Sequence, residues 1–133
     1  MNANIARAIE LVGRPPINPI GQCFESSIRQ IIFATDCPPD ARLCHGIAIA
    51  NFPGQEGLTV GHAWIEYDSD DGTRIAMDTT WGLRQRATTS RKGLKVMHVR
   101  EYSRAEAQMR WKMLGMPGPW DPAIKAITDR RHG

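Results

Sequence analysis

Two alternating runs joined by a turn constrain the fold of this chain most strongly. In Thr59–Tyr67 and in Thr73–Thr79, apolar and polar side chains alternate, which is typical of strands with one buried face. The segment between them, Ser69-Asp70-Asp71-Gly72, is a strong turn signal. We therefore expect a β-hairpin, and with it an antiparallel sheet.

The length of the hairpin loop decides which residues face each other. If Tyr67 pairs with Thr73 and Asp68–Gly72 form the loop, His62 lies directly opposite Asp78. The other pairs in this register are Trp64 with Ala76, Glu66 with Arg74, Ala63 with Met77 and Ile65 with Ile75. A tight two-residue turn at Asp71-Gly72 is the alternative, and it puts His62 and Asp78 on opposite faces. We predict the longer loop, because it aligns a His–Asp pair, a salt bridge and two apolar pairs at once.

The remaining segments predict an α+β fold in which N-terminal helices pack on a small antiparallel sheet. The predicted helices are Asn4–Val12, Cys23–Ala34, one from the Ser103–Glu106 capping box to near Gly115, and a short one opened by Asp121-Pro122. The predicted strands beside the hairpin are Leu43–Asn51 and Leu94–Tyr102. Since the 133 residues contain no repeat, low-complexity tract or linker, we expect one domain over residues 1–133.

Cys23 begins the second predicted helix. The free N–H groups and the dipole at a helix N-terminus favour a thiolate and can hold an oxyanion. A cysteine nucleophile also needs a base and a group that orients the base, and His62 with Asp78 fits both needs. Gln22 and Asn18 are candidate oxyanion donors, although both can equally serve the turn into the helix. Taken singly, an inert cysteine, a core histidine and a turn-capping aspartate are ordinary alternatives.

Three segments around these residues carry a family resemblance. They are Gly21-Gln22-Cys23-Phe24, His62-Ala63-Trp64-Ile65-Glu66 and Met77-Asp78-Thr79-Thr80-Trp81-Gly82. The first resembles the Gly-Gln-Cys-Trp of transglutaminases. The second and third resemble the His-Ala-Trp-hydrophobic-Glu and Val-Asp-Pro/Thr-Thr-Trp segments of the wider transglutaminase-like, papain-related superfamily. The resemblance implies that Cys23 is the nucleophile, His62 the base and Asp78 the orienting acid.

The resemblance covers residues 19–82 and fits the compact core found in small bacterial and phage members of the superfamily. The chain has no room for the additional domains of animal transglutaminases, so their calcium control is not expected here. Cys23-Phe24-Glu25 is also similar to arylamine N-acetyltransferases. Those enzymes are about twice this length, and their acetyl-CoA-binding domains have no counterpart in this chain.

Charge and cysteine content limit the partners and the location. The chain has a net charge of +3, yet Arg84–Lys112 contains nine basic and two acidic residues. A solvated basic face and a polyanion-binding face both explain this, and the lack of a nucleic-acid motif makes nucleic acid an unexpected partner.

The chain has no apolar run long enough for a membrane span. With three cysteines and no secretory signal, we expect reduced thiols in the cytoplasm.

Several other residues have two interpretations. Cys37, Cys44 and His45 suggest zinc, but the gap of seven residues from Cys37 to Cys44 is wider than in zinc knuckles. We therefore expect no metal, with Cys44 packed in its strand and His45 as a second candidate base. Trp64 is a candidate substrate contact or a packing residue.

The sequence thus predicts a cysteine hydrolase or acyltransferase that needs no cofactor. Its substrate carries an amide or ester group and can be a protein, and hydrolysis is expected over transfer to an amine. The main alternative is a non-catalytic interaction module that binds a protein or polyanion through Arg84–Lys112. Acetyl transfer from a thioester is a further alternative. The sequence determines neither the substrate nor the oligomeric state.

Overall fold

The computed structural model describes residues 22–50, 57–80 and 82–132. These residues form an α+β fold with four helices and a five-stranded antiparallel sheet, in agreement with the predicted class. In chain order the elements are α1 (Cys23–Phe33), β1 (Arg42–Ala50), β2 (Leu58–Asp68), β3 (Arg74–Asp78), β4 (Leu83–Arg86), α2 (Ala87–Gly93), β5 (Met97–Ser103), α3 (Arg104–Leu114) and α4 (Pro122–His132). The predicted helix Asn4–Val12 lies outside the described residues.

The sheet has the strand order β4-β3-β2-β1-β5, with β2 at its centre. Successive side chains of a strand point to opposite faces, so β2 builds two cores. Ile65 packs with Ile28 of α1 on one face, whereas Trp64 packs with Ala87 of α2 on the other. The central strand is therefore covered by helices on both faces.

Helix α1 forms where the spacing of apolar residues predicts it. Phe24, Ile28 and Ile31 are buried at positions i, i+4 and i+7, which make one face of a helix. Both isoleucines are fully buried, and each such side chain contributes about 1.5–3 kcal/mol to stability. The helix ends at Ala34, which is extended (φ −74°, ψ 128°). This packing fixes α1 on the sheet with Cys23 at its first position.

The predicted register of the hairpin is wrong by two residues. Tyr67 pairs with Ile75 instead of Thr73, so the five-residue loop starts one residue later. Hydrogen bonds within the loop favour this position, because Asp71 accepts from the Ser69 hydroxyl and from the Thr73 N–H (2.9 Å). The Ser69 N–H in turn donates to the Thr73 carbonyl (2.9 Å). A shift by two residues leaves every side chain on its predicted face.

The sequence analysis missed two elements, β4 and α2. Gly82, at φ 67°, turns the chain and donates its N–H to the Asp78 carbonyl (2.8 Å). Strand β4 then pairs with β3 at the edge of the sheet, where charged side chains are common. The predicted strand from Leu94 instead begins at Met97, because Leu94 caps α2 and Lys95 has a positive φ of 49°.

The last two helices begin at the predicted signals, and α3 also ends at the predicted glycine. Ser103 and Glu106 form the capping box of α3, and Gly115 ends this helix at φ 71°. Helix α4 approaches β2 very closely at Gly61, where a Cβ atom would clash with Oγ1 of Thr128. No helix in the described ranges is long and apolar enough to cross a membrane.

Candidate active site

Cys23, His62 and Asp78 come together where β3 ends beside β2. Cys23 is the first residue of α1, and Asp78 is the last residue of β3. His62 lies on β2 before the segment that pairs with β3, which begins at Ile65. The start of α1 packs on β2 next to this position, since Cys23 lies in one buried cluster with Ala63. All three residues are buried, with 1–3% of their surfaces exposed.

His62 and Asp78 form a buried hydrogen-bonded pair. Nε2 of His62 lies 2.7 Å from Oδ2 of Asp78, and their side chains are 3% and 4% exposed. The observed register makes this contact diagonal instead of direct, because His62 lies beyond the paired part of β2. The other oxygen, Oδ1, accepts the N–H of Thr80 at 2.9 Å. Asp78 therefore orients the imidazole and caps the following turn as well.

Cys23 is a hydrogen-bonding partner of the same imidazole. Because Nε2 faces Asp78, Nδ1 is the ring nitrogen left for the thiol. Burial by itself lowers the pKa of His62, but the charge and hydrogen bond of Asp78, together with Cys23, outweigh burial and raise it to about 10. A pKa raised in this way favours the imidazolium, and a cation beside a cysteine favours the thiolate.

The N-terminus of α1 offers backbone donors beside the thiol. Gln22 is the N-cap residue, and its side chain makes no capping hydrogen bond. The N–H groups of the first turn therefore keep donor capacity that an oxyanion can use. The Gln22 side chain is exposed, and the other proposed donor, Asn18, lies outside the described residues.

Trp64 lies against the imidazole of His62. The two rings are stacked, with centroids 5.6 Å apart and planes at 17°. Trp64 is only 2% exposed, and its indole Nε1 donates to Oε2 of Glu66 at 2.7 Å. The predicted ion pair of Glu66 with Arg74 is present at 2.6 Å. Arg91 of α2 also binds Glu66, a contact that sequence analysis missed because α2 itself gave no clear pattern.

His45 is buried on the other face of the sheet from His62. It pairs with Ala63, the neighbour of His62 on β2, and its ring lies about 5 Å from those of Phe24, Tyr102 and Trp120. Burial lowers the pKa of His45 to about 3, with a further contribution from the charge of His62. The second candidate base therefore lies on a neighbouring strand, as predicted, inside an aromatic cage and not beside Asp78.

The structure separates the residues that suggested zinc. Cys37 packs with the α1 core and Cys44 with the α2 core. In the part of the chain that the structure describes, the potential metal-binding group consists of Cys44, Glu66 and Glu101, with ligand atoms within 4.8 Å of one another. Guanidinium groups already pair with both of these carboxylates. Burial also raises the pKa of Cys44, which disfavours the thiolate that a metal requires.

Comparisons of the chain with protein-family models, with curated proteins and with solved structures gave no match.

Proposed function

We propose that this protein is a thiol-dependent acyl-transfer enzyme with a transglutaminase-like core. Cys23 acts as the nucleophile, His62 as the acid and base, and Asp78 as the group that orients His62. The observation that carries this proposal is that a single buried imidazole has Asp78 and Cys23 as its two partners. Cysteine-dependent acyl transfer requires a nucleophile, a base and a carboxylate that orients the base.

The proposed reaction begins with attack of the Cys23 sulfur on the carbonyl carbon of an amide or ester. A C–S bond forms, and the carbonyl electron pair moves to oxygen, where the N–H groups of α1 stabilise it. The pair then re-forms the carbonyl, and the C–N or C–O bond of the substrate breaks. His62 gives its proton to the leaving amine or alcohol. The product of this half-reaction is a thioester on Cys23.

Water resolves the thioester in the second half-reaction. His62 takes a proton from water, the resulting hydroxide attacks the carbonyl carbon, and the C–S bond breaks. This releases a carboxylic acid and restores the thiolate–imidazolium pair. We favour water over an amine as the acceptor because it is far more concentrated. The three residues are 1–3% exposed, so a substrate carbonyl reaches the thiol only after covering side chains move.

Acylation by p-nitrophenyl acetate, followed by intact-protein and peptide mass spectrometry, tests the proposal. We expect one acetyl group on Cys23 that appears rapidly and disappears as acetate forms. Cys23→Ser and His62→Ala should abolish this adduct, whereas Cys37→Ser, a change at another buried cysteine, should leave it intact. Acetylation spread over several cysteines and lysines, and insensitive to His62→Ala, would contradict the proposal.

A non-catalytic interaction module is the second candidate, and the surface of α3 supports it. Met109, at the end of the basic segment 84–112, and Met113 and Leu114, which directly follow the segment, are 56–75% exposed. A binding module should keep its biological effect in Cys23→Ser and lose it when Lys92 and Lys95 are both changed to Gln. An enzyme should respond in the opposite way. Acetyl transfer is the third candidate, and an acetyl-Cys23 adduct formed from acetyl-CoA would favour it.

A further inference from the structure

The face of the sheet that carries His62 also carries a connected set of buried polar contacts. The imidazole stacks on Trp64, whose indole N–H donates to Glu66 at 2.7 Å. Glu66 is fully buried. Trp64 and Glu66 lie two and four residues after His62 on β2, so all three point to the same face.

Two arginines fix the position of Glu66. Arg91 of α2 donates to both carboxylate oxygens, through Nε at 2.8 Å and Nη2 at 2.9 Å. Nε of Arg74, on β3, lies 2.6 Å from Oε1. Glu101 of β5 pairs with Arg74 in turn. The carboxylate is thus held from a helix and from a neighbouring strand, and its orientation cannot change without breaking an ion pair.

These contacts also keep Glu66 ionised. Burial alone raises the pKa of a carboxyl group, but the hydrogen bonds from Arg91 and Trp64 and the charges of Arg91 and Arg74 outweigh burial and lower the pKa of Glu66. An ionised carboxylate is a stronger acceptor for the indole N–H than a neutral acid. The link between Glu66 and Trp64 is therefore a charge-assisted hydrogen bond in a buried setting.

We propose that Glu66 and Trp64 are positioning residues for the candidate active site: Glu66 holds the indole flat against His62 and thereby fixes the plane of the imidazole. This inference rests on the proposed function. The χ2 torsion of histidine is broad, and the contacts with Asp78 and Cys23 are made at the edge of the ring, so they restrain its tilt less than a contact with its flat face does. The stacked indole removes this remaining freedom and keeps Nδ1 directed at Cys23.

The proposal gives α2 a role in the site. Arg91 lies in the basic segment 84–112, yet it is paired with Glu66 and also lies 6.0 Å from the centre of the Trp64 ring. Its contribution is therefore expected to be internal to the fold. Lys92 and Lys95, and not Arg91, are the residues to change in a test of the basic surface.

Trp64→Phe is the most direct test, because phenylalanine keeps an aromatic ring but loses the N–H that binds Glu66. The readout is the rate of Cys23 alkylation by iodoacetamide between about pH 5 and pH 9, corrected for the folded fraction measured by circular dichroism. We expect the rate near pH 6 to fall about tenfold and the pH profile to move, because small misplacements of reacting groups have large effects. Trp111→Phe is the matched control, since Trp111 contacts Phe33 and Arg29 away from the site.

Arg91→Gln is a second variant in case Trp64→Phe does not fold. Arg91 is one-third exposed, and Arg74 still pairs with Glu66 when Arg91 is changed. We expect a decrease of roughly threefold in the same alkylation rate, a smaller effect because one ion pair remains. Arg100→Gln, which removes a partly exposed ion pair with Asp121, is its control and should leave the rate unchanged.

The outcomes separate the two proposals. If His62→Ala slows alkylation of Cys23 but folded Trp64→Phe and Arg91→Gln keep the wild-type rate and pH profile, the positioning role is wrong and the proposed function stands. A lower melting temperature with an unchanged profile also overturns the positioning role, because it assigns Trp64 to packing alone. If wild-type alkylation does not depend on His62, the proposed function fails first, and the positioning role fails with it.

Discussion

The acid stability of this fold should depend on His45. The imidazole is fully buried in an aromatic cage, and neither ring nitrogen has a hydrogen-bond partner among the described residues. Burial, followed by the charges of His62 and Arg110, lowers the pKa of His45 to about 3 from the ordinary 6.5. The folded protein therefore excludes a proton that the unfolded chain accepts.

The sign and size of the effect follow from this difference in pKa. Above pH 6.5 the imidazole is neutral in both states, and the stability is fully present. As the pH falls from 6.5 toward 3, the unfolded chain is protonated first and the folded state loses stability. One pKa unit corresponds to about 1.4 kcal/mol, so the loss reaches about 2 kcal/mol at pH 5. His45→Leu replaces the ring with an apolar side chain of similar size and should abolish this loss.

Urea denaturation of wild type and His45→Leu at pH 7, 6 and 5, followed by tryptophan fluorescence, measures the effect. The difference between the two proteins isolates His45, because the contribution of His62 is common to both. His98→Asn is the control: His98 is partly exposed, pairs with Asp121 at 2.9 Å and has a positive φ of 55° that Asn tolerates. The His98→Asn variant should lose at least as much stability as wild type between pH 7 and pH 5. If His45→Leu loses as much stability as wild type between pH 7 and pH 5, the reasoning about His45 is refuted.

Three further substitutions test other parts of the structure. Asp78→Asn should lower the pKa of His62 from about 10 by removing the charge that raises it, as an NMR titration of the imidazole can measure; an unchanged pKa would contradict the pairing. Gly61→Ala should lower the free energy of unfolding by about 1–3 kcal/mol in urea denaturation, because the added Cβ meets Thr128. The double variant Gly61→Ala/Thr128→Ala should recover most of this loss. Equal stability of the single and the double variant would contradict the close approach of α4. Asp121→Ala should lower the free energy of unfolding by at least about 1 kcal/mol, because Asp121 accepts N–H groups of the first turn of α4. An unchanged urea midpoint would contradict this capping role.

The sequence was sufficient for the features that depend on local patterns. Period-two alternation assigned the faces of β2 and β3 correctly, and an error of two residues in register did not bring His62 and Asp78 onto different faces. The exact register depended on hydrogen bonds of Ser69 and Asp71 within the loop, which residue type alone does not determine. The capping box of Ser103 with Glu106 predicted the start of α3 correctly.

Features that depend on tertiary contacts were beyond the sequence pattern. Strand β4 has four residues and acquires its structure by pairing with β3, so it carries no periodicity of its own. The role of Arg91 requires α2 to fold back over β2, and a basic run gives no sign of that. His45 looked like a base because its strand neighbours β2, but its aromatic surroundings come from α1, β5 and the segment before α4.

The most direct test of the proposed thiol chemistry is alkylation by limiting iodoacetamide near pH 6, followed peptide by peptide in wild type and His62→Ala. All three cysteines are buried, at 1% exposure for Cys23, 6% for Cys37 and 0% for Cys44, so exposure gives Cys23 no advantage. Burial also raises the pKa of both Cys37 and Cys44. We predict that Cys23 is labelled at least about tenfold faster than the other two, and that His62→Ala removes this difference. Labelling of Cys23 at the same rate as Cys37, or at a rate that does not change in His62→Ala, would contradict an activated thiolate at this site.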